Sequence, residues 1–361
     1  MVKGLKSLPN IRDVAARAGV SISTVSRVIN RSGPVSAKAR EAVLSAVRET
    51  GFRPNTIGRQ LKTAKSRTIG VLVPSLKNPI FADAVQGIER AAERQGYRIL
   101  LTSSSYAPEK EVDAVEVLLA NRVAGLIVTV ADEAASPALA LLKRAGAPFV
   151  LVFNPAFDPG PSAITIDNQA AARELVEGLI ALGHRRIAMI AGSFEASDRS
   201  GLRRAGYEAA LRDQGLEPGP VIEVGFDSFD LGRHCAALCR LPAAPTAVFC
   251  STDMLALAAI RAFTALGYAV PQDISVAGFD GIAVGELMAP NLATVVQPAE
   301  QMGARALDHL LERINDKAPA LHLTLPHRVR PGESWGPPRP APVIEPSMDA
   351  AIQKASLAGS T

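Results

Sequence analysis

The spacing of apolar positions changes character at Thr68. Beyond it, short β-branched runs recur at Thr68–Val73, Tyr97–Thr102, Gly125–Thr129, Phe149–Phe153, Ile187–Ala191, Ala247–Cys250 and Ile274–Ala277. Between them lie amphipathic stretches near 79–95, 109–120, 135–145, 168–182, 199–214, 230–240 and 253–266. This alternation predicts an α/β body, with parallel strands covered by helices on both faces. The number of runs over this length favours two sheets over one. Ahead of Thr68 the pattern is helical only. Asn10 can cap a first helix, with Asp13 in its first turn, which stops at Ala18-Gly19. Ser21 can cap a second over Ile22–Ile29, and a third runs from Ser36 to about Thr50, before Gly51. Val14, Val25, Val28, Ile29, Val43, Leu44 and Val47 are the predicted core of this head.

Charge divides the chain at the same place. Residues 1–66 carry thirteen Lys/Arg and three Asp/Glu, a net of +10, whereas the remaining 295 residues carry 26 and 32, a net of −6. A small basic head on an acidic body points to a polyanion as the partner of the head alone. Aromatic residues are only 4% of the chain, so aliphatic side chains must fill most of the body's core. Three cysteines (Cys235, Cys239, Cys250) make no disulfide framework and fit a reducing cytoplasm. Cys235 and Cys239 lack His partners, so they read as buried small hydrophobes, with no metal expected. No secretion signal is expected, because Met1–Asn10 lacks an apolar run, and no apolar stretch is long enough for a membrane span.

The first two predicted helices form a helix-turn-helix pattern. The start of the second exposes Ile22, Ser23, Thr24, Ser26 and Arg27, a set able to reach base edges. The stretch from Asn10 to Asn30, with Val35–Arg40 and Gly51–Asn55, resembles the head of the LacI/GalR family nearly residue for residue. That resemblance implies that Ile22, Ser23 and Arg27 read major-groove bases, while Thr24, Ser26, Asn30, Ser36 and Asn55 position the head on phosphates. It also implies a hinge helix in 54–66 that orders on DNA, with Leu61 as the wedge in the minor groove. Gly58 stands where the family usually has alanine, which weakens such a helix by about 1 kcal/mol. Read without the family, 54–66 is a flexible linker. The expected divisions are a helix-turn-helix domain over 1–53, a hinge over 54–66, a two-lobed body over 67–330 and a Pro-rich, disordered tail over 331–361.

Open α/β sheets bind ligands beyond the carboxyl ends of their strands. Pro74–Phe81, Asn154, Ser251–Asp253 and Gly278–Gly281 are therefore candidate site segments. Ser75–Ala82, Leu182–His184, Arg203–Tyr207, Thr252-Asp253 and Ile274–Asp280 resemble, in order, the family's sensor core, itself similar to periplasmic sugar-binding proteins. The resemblance implies that Arg203, Asp280 and Phe81 anchor a small effector, with Ser75, Asn154, Asp167, Arg199 and Thr252 as further candidates. The alternatives are an interlobe salt bridge for Arg203, core packing for Phe81 and a turn cap for Asp280. Asp227 stands where many members have a stacking aromatic, with Phe226 and Phe229 beside it, so either a neighbouring phenylalanine stacks on the ligand or the effector is less ring-like. Leu72–Ala82 and Gly281–Ala289 are similar to gluconate-type members, implying a sugar or sugar acid.

His184 is expected to fix a helix-to-strand loop. No Ser/His/Asp ordering, metal-ligand spacing or phosphate-binding glycine loop is present, so neither catalysis nor a cofactor is expected. Met348–Leu357 is too short and too polar for the heptad helix of tetrameric members, so a homodimer is expected. The expected function is a repressor on near-palindromic double-stranded operator DNA, controlled by the effector. Co-repression is the alternative, and a solute-binding protein is a more distant one.

Overall fold

The computed structural model describes residues 9–30, 32–52, 66–157, 159–316 and 318–339. These fall into two units that divide between Ser66 and Arg67.

Among the described residues of the first unit, three helices close on themselves: α1 (Ile11–Ala18), α2 (Ile22–Asn30) and α3 (Ala37–Thr50). Local chemistry sets each boundary. The Asn10 side chain accepts from the Arg12 and Asp13 amides, and Asp13 accepts from the Asn10 amide at 2.8 Å, a reciprocal capping box. Gly19 ends α1 at φ 64°, a left-handed conformation that a Cβ would penalise. Ser21 Oγ accepts from the Thr24 amide at the start of α2, and Ser36 caps α3 through the Ala39 amide. Val14, Ala15, Val25, Val28, Val43 and Ala46 make the core. Leu44, expected inside, is 45% exposed, and Ala46 takes a core place. Along α3 the inward stripe falls on Val43, Ala46 and Val47, which turns Leu44 outward.

Among its described residues the body carries two six-stranded sheets. The first contains β1 (Thr68–Val73), β2 (Arg98–Ser103), β3 (Gly125–Val128), β4 (Phe149–Val152), β5 (Ala163–Thr165) and β11 (His322–Thr324), in the order β11-β5-β4-β3-β1-β2. All of its pairs are parallel. The second contains β6 (Ile187–Gly192), β7 (Val221–Val224), β8 (Ala247–Cys250), β9 (Ser275–Asp280), β10 (Ala293–Val296) and β12 (Arg328–Arg330), in the order β12-β10-β9-β8-β6-β7. Only its edge pair β10–β12 is antiparallel. The connecting helices are α4 (Pro79–Arg94), α5 (Pro108–Ala120), α6 (Pro137–Arg144), α7 (Asn168–Ala181), α8 (Asp198–Asp213), α9 (Gly232–Cys239), α10 (Asp253–Ala265), α11 (Val284–Leu287) and α12 (Ala299–Asp316).

The chain crosses between the sheets three times: after β5, after β10, and between β11 and β12. The second crossing returns α12 to the first lobe, where it lies against α4. The two helices approach closely because a glycine from each faces the other's backbone. A Cβ on Gly87 would run into the Glu300 carbonyl, and one on Gly303 into the Ala84 carbonyl. Both lobes thus bring the carboxyl ends of their central strands to a shared cleft.

One expected division moves. Residues 331–339 pack on the second lobe and do not hang free. Ser334 is fully buried and exchanges bonds with the Val276 backbone, Trp335 packs against Gly178, and Arg339 pairs with Asp273. Prolines in this stretch set its extended path without preventing it from docking. His184 holds both ends of the arrangement, joining Thr246 through Nδ1 and the Gly336 carbonyl through Nε2, each at 2.8 Å. Burial lowers its pKa, in keeping with a structural imidazole. Residues 340–361 lie outside the described residues. Among the described residues no helix is long and apolar enough to cross a membrane.

Candidate functional site

Two surfaces carry the candidate chemistry, one in each unit. In the head, burying Val25 and Val28 turns the opposite side of α2 to solvent. Ile22 is 46% exposed, and Ser23 and Arg27 are open beside it. Thr24 and Ser26 are half-buried, Thr24 bonding to Ser21 Oγ and Ser26 accepting from the Asn30 amide at 3.1 Å. Ser36 is exposed at the start of α3. The exposed side of α2 thus combines one apolar side chain, Ile22, with the Ser23 hydroxyl and the Arg27 guanidinium. Asn55 and Leu61, with the rest of the expected hinge up to residue 65, lie outside the described residues.

In the body, Phe81, Arg199, Arg203, Thr252 and Asp280 line one narrow cleft. Ser75 and Asp227 line its outer mouth, together with Thr252. The polar floor is a buried guanidinium–carboxylate pair inside the second lobe. Arg203 Nε donates to Asn168, its Nη1 to the Ser251 carbonyl, and Nη1 lies 3.5 Å from Asp280. The guanidinium carbon sits 3.7 Å from the centre of the Phe279 ring. Arg203 is thus not the interlobe bridge that the sequence left open. Burial pulls its pKa down to about 10, with Asp280 opposing, so it stays cationic at neutral pH. Asp280 does reach across, accepting from Asn78 of the first lobe at 3.0 Å and from Gln297 at 2.9 Å. Burial raises its pKa, and Arg203, Asn78 and Gln297 oppose the rise.

The Asp280 backbone is strained, at φ 130°, a region L side chains rarely adopt. Asp253 holds this turn: one carboxylate oxygen accepts from the Gly281 and Ile282 amides, both at 2.8 Å. Asp253 is fully buried, and burial with the neighbouring Asp280 raises its pKa to about 7. Thr252 caps α10 through the Leu255 amide.

The apolar wall is aromatic. Phe81 meets Tyr106 and Phe153 edge to face. Tyr106 of the first lobe stacks on Phe226 of the second at 4.0 Å and 9°, closing the cleft from above. Phe226, beside Asp227, thus has one ring face against Tyr106. Asp227 itself pairs with Lys77 across the mouth, half-exposed, an ion pair of at most about 1 kcal/mol.

Asn154 does not line the cleft. It is fully buried, bonds both the amide and the carbonyl of Val130, and reaches Asp198 at 2.8 Å. The loop after β3 and the start of α8 form a latch between the lobes here. The Asp198 amide donates to the Ala131 carbonyl, and Arg199 donates to the Val130 carbonyl and to Asp198. Glu111 accepts from the Ala131 amide, its pKa raised to about 7 chiefly by burial. Asp167, another candidate, caps α7.

The sequence reading missed Tyr106, Phe153, Ser197, Ser200 and Gln297, all in the lining, whereas Asn78 lies in the expected segment Pro74–Phe81 and Phe226 beside Asp227. The rule of looking just past each strand reaches Tyr106 once β2 is included. Gln297 follows β10, a strand absent from the predicted set. Among the described residues no group of three or more His, Cys, Asp or Glu is placed to hold a metal ion.

Comparison with known proteins decides the family. Residues 10–55 match the model of bacterial regulatory proteins of the lacI family, and 66–328 match that of periplasmic binding proteins and the sugar binding domain of the LacI family. The chain belongs to the LacI family. It is 36% identical to the HTH-type transcriptional regulator GntR of Escherichia coli (strain K12) over 315 residues, 87% of this chain and 94% of that one. It is 35% identical to the HTH-type transcriptional repressor PurR of Haemophilus influenzae (strain PittEE) over 321 residues, 86% of this chain and 92% of that one. A crystal structure of the lac repressor dimer bound to operator and the anti-inducer ONPF matches with a TM-score of 0.78 and 31% identity, covering 91% of this chain and 99% of that one. This LacI-family chain is a DNA-binding transcriptional regulator with an effector domain.

Proposed function

We propose that two copies of this chain grip a near-palindromic operator in the cytoplasm, and that a sugar or sugar acid held between the lobes alters the grip. The observation that carries the reading is the pairing, in one chain, of an exposed α2 surface with a buried Arg203–Asp280 cleft. Ile22, Ser23 and Arg27 meet base edges in the major groove, where an arginine can pair bidentately with guanine. Thr24, Ser26, Asn30 and Ser36 set the head on phosphates. Asn55 would add a phosphate contact, and Leu61 would wedge a base step in the minor groove.

In the body, Arg203, Asp280 and Arg199 fix the ligand's polar groups against the aromatic wall. Thr252 assists from the cap of α10, and Ser75 and Asp227 guard the mouth. Ligand favouring one lobe arrangement shifts the population of operator-competent dimers. Relief of repression by an inducer is the primary reading. The chain acts by binding, without catalysis.

Fluorescence anisotropy of a labelled inverted-repeat duplex from the chain's own promoter region tests this. Binding is expected to exceed that to scrambled duplex by at least about a thousandfold and to fall steeply with salt, as the +10 head displaces counterions. A monosaccharide or aldonic acid should shift the curve. Equal affinity for scrambled duplex, with and without these ligands, would end the proposal.

A further inference from the structure

Backbone strain collects around the cleft. Ser105 and Tyr106 follow β2 at φ 54° and 58°, and Phe153 follows β4 at φ 71°. With Asp280 at the end of β9, these left-handed positions all lie at carboxyl ends of strands. L side chains seldom take this region, so surrounding contacts must hold it. For Tyr106 the contacts come from the end of β1. The Ser104 amide donates to the Val73 carbonyl at 3.1 Å, and the Tyr106 amide to the Pro74 carbonyl at 3.0 Å. Tyr106 is thus mounted rigidly on the first lobe, and its ring crosses to Phe226 of the second.

Phe226 is held by shape. It follows β7, and its ring lies over the backbone of Gly192, where a Cβ would run into it. The Tyr106 ring covers it from the other lobe, parallel to within 9°. The stack also divides the space between the lobes. Tyr106 and Phe226 border both an inner chamber, which contains Arg203 and Asp280, and the outer mouth, which contains Lys77 and Asp227. The path from the mouth to Asp280 runs past the two rings. Further out, the exposed Lys77–Asp227 ion pair joins the lobes a second time, weakly because water screens it.

We propose that Tyr106 is a built-in plug: its ring occupies one face of Phe226 and shuts the inner chamber from the mouth, so that an effector enters only when this stack parts. The identity of what passes as an effector rests on the regulated reading given above; the plug itself is a property of the fold. Stacked rings attract beyond the area they bury, so the closed arrangement needs no ligand to hold it. Entry then competes with a contact inside the chain. That competition lowers the apparent affinity of any effector, because the open arrangement is the minor one.

Thiol labelling of the full chain tests the plug without any effector. In a Cys239→Ser background, Ser197→Cys puts a thiol in the lining of the inner chamber, at a position 3% exposed whose side chain makes no cap bond. Uncharged methyl methanethiosulfonate is the probe, and peptide mass spectrometry locates the label. Tyr106→Ala should speed labelling of Ser197→Cys by about tenfold or more, while Tyr106→Phe, which keeps the ring, should leave it within about twofold. Native Cys250, fully buried in the second lobe, reports general loosening and should keep its rate. Lys77→Ala opens the exposed ion pair alone and should change the Ser197→Cys rate by less than about threefold.

An unchanged rate in Tyr106→Ala overturns the plug. So does an equal acceleration at Cys250, or a Lys77→Ala effect as large as that of Tyr106→Ala. Each of these outcomes leaves effector regulation standing. Operator affinity that no metabolite shifts removes the regulation instead, and leaves the plug as the labelling finds it.

Discussion

The head and the body place their chemistry on opposite sides of the water boundary. On α2 the residues proposed to meet bases, Ile22, Ser23 and Arg27, are exposed, lie within nine consecutive positions, and owe their arrangement to one helix. In the cleft they are buried, come from both lobes, and include partners as distant in sequence as Asn78 and Asp280. The head can therefore change what it recognises at little cost to its fold, because its six-residue core lies on the other side of the helices. In the body, recognition and stability share side chains, so a change to one is a change to both.

The strongest challenge to this contrast is Arg203→Ala. It removes three polar partners at once and leaves Asp280 buried with less compensation. A loss of about 3–5 kcal/mol in the body's urea unfolding is expected, together with loss of effector binding by calorimetry. A loss below about 1 kcal/mol would show that site and fold are separable here after all.

Asp253 gives the next effect, through pH. Its pKa in the fold, about 7, lies above the ordinary carboxylate value, so the folded state favours the protonated form. The stability this contributes is complete below about pH 4 and is lost as pH rises to about 7, a change of a few kcal/mol. Asp253→Asn keeps an acceptor for Gly281 and Ile282 and a polar partner for Thr294. It should flatten the slope of unfolding free energy between pH 4 and 7 relative to the parent chain. An unchanged slope would place the titration elsewhere.

Arg27→Ala probes the exposed side. Operator affinity should fall by about 1–3 kcal/mol with relaxed preference at one base pair, while the melting temperature stays within about a degree. A drop in stability comparable to that in binding would mean that the head, too, mixes recognition with folding. Smallest is Asn10→Ala, which opens the capping box. Calorimetry should register a loss of about 1 kcal/mol in the head's transition and none in the body's.

The same contrast explains which features were legible in the sequence. The α2 surface was readable because caps, glycine stops and a 3.6-residue stripe are all short-range signals. Leu44 was misplaced because two helical stripes fit α3, and only packing against α1 and α2 chooses between them. Seven strands of the body were legible from their β-branched runs. The three-residue β5, β11 and β12 carry too little pattern to stand out, and the four-residue β7 and β10 were passed over as well. With β10 unseen, Gln297 had no strand end to mark it. Asn154 sits just past a strand, where ligand residues are expected, but nothing local reveals that Val130 and Asp198 claim its amide.

The sequence by itself determined the division at residue 66, the basic head and the α/β alternation, since each rests on neighbouring residues or on charge, while Arg203 and Asp280 were marked by the family resemblance. Only the tertiary structure decided that Arg203 is internal to its lobe, that Phe226 closes the cleft on Tyr106, and that Arg199 joins the lobes with one Nη free. Those facts depend on three crossings of the chain between two sheets. Such crossings bring together side chains 202 positions apart, as for Asn78 and Asp280, and no local pattern encodes a distance of that kind.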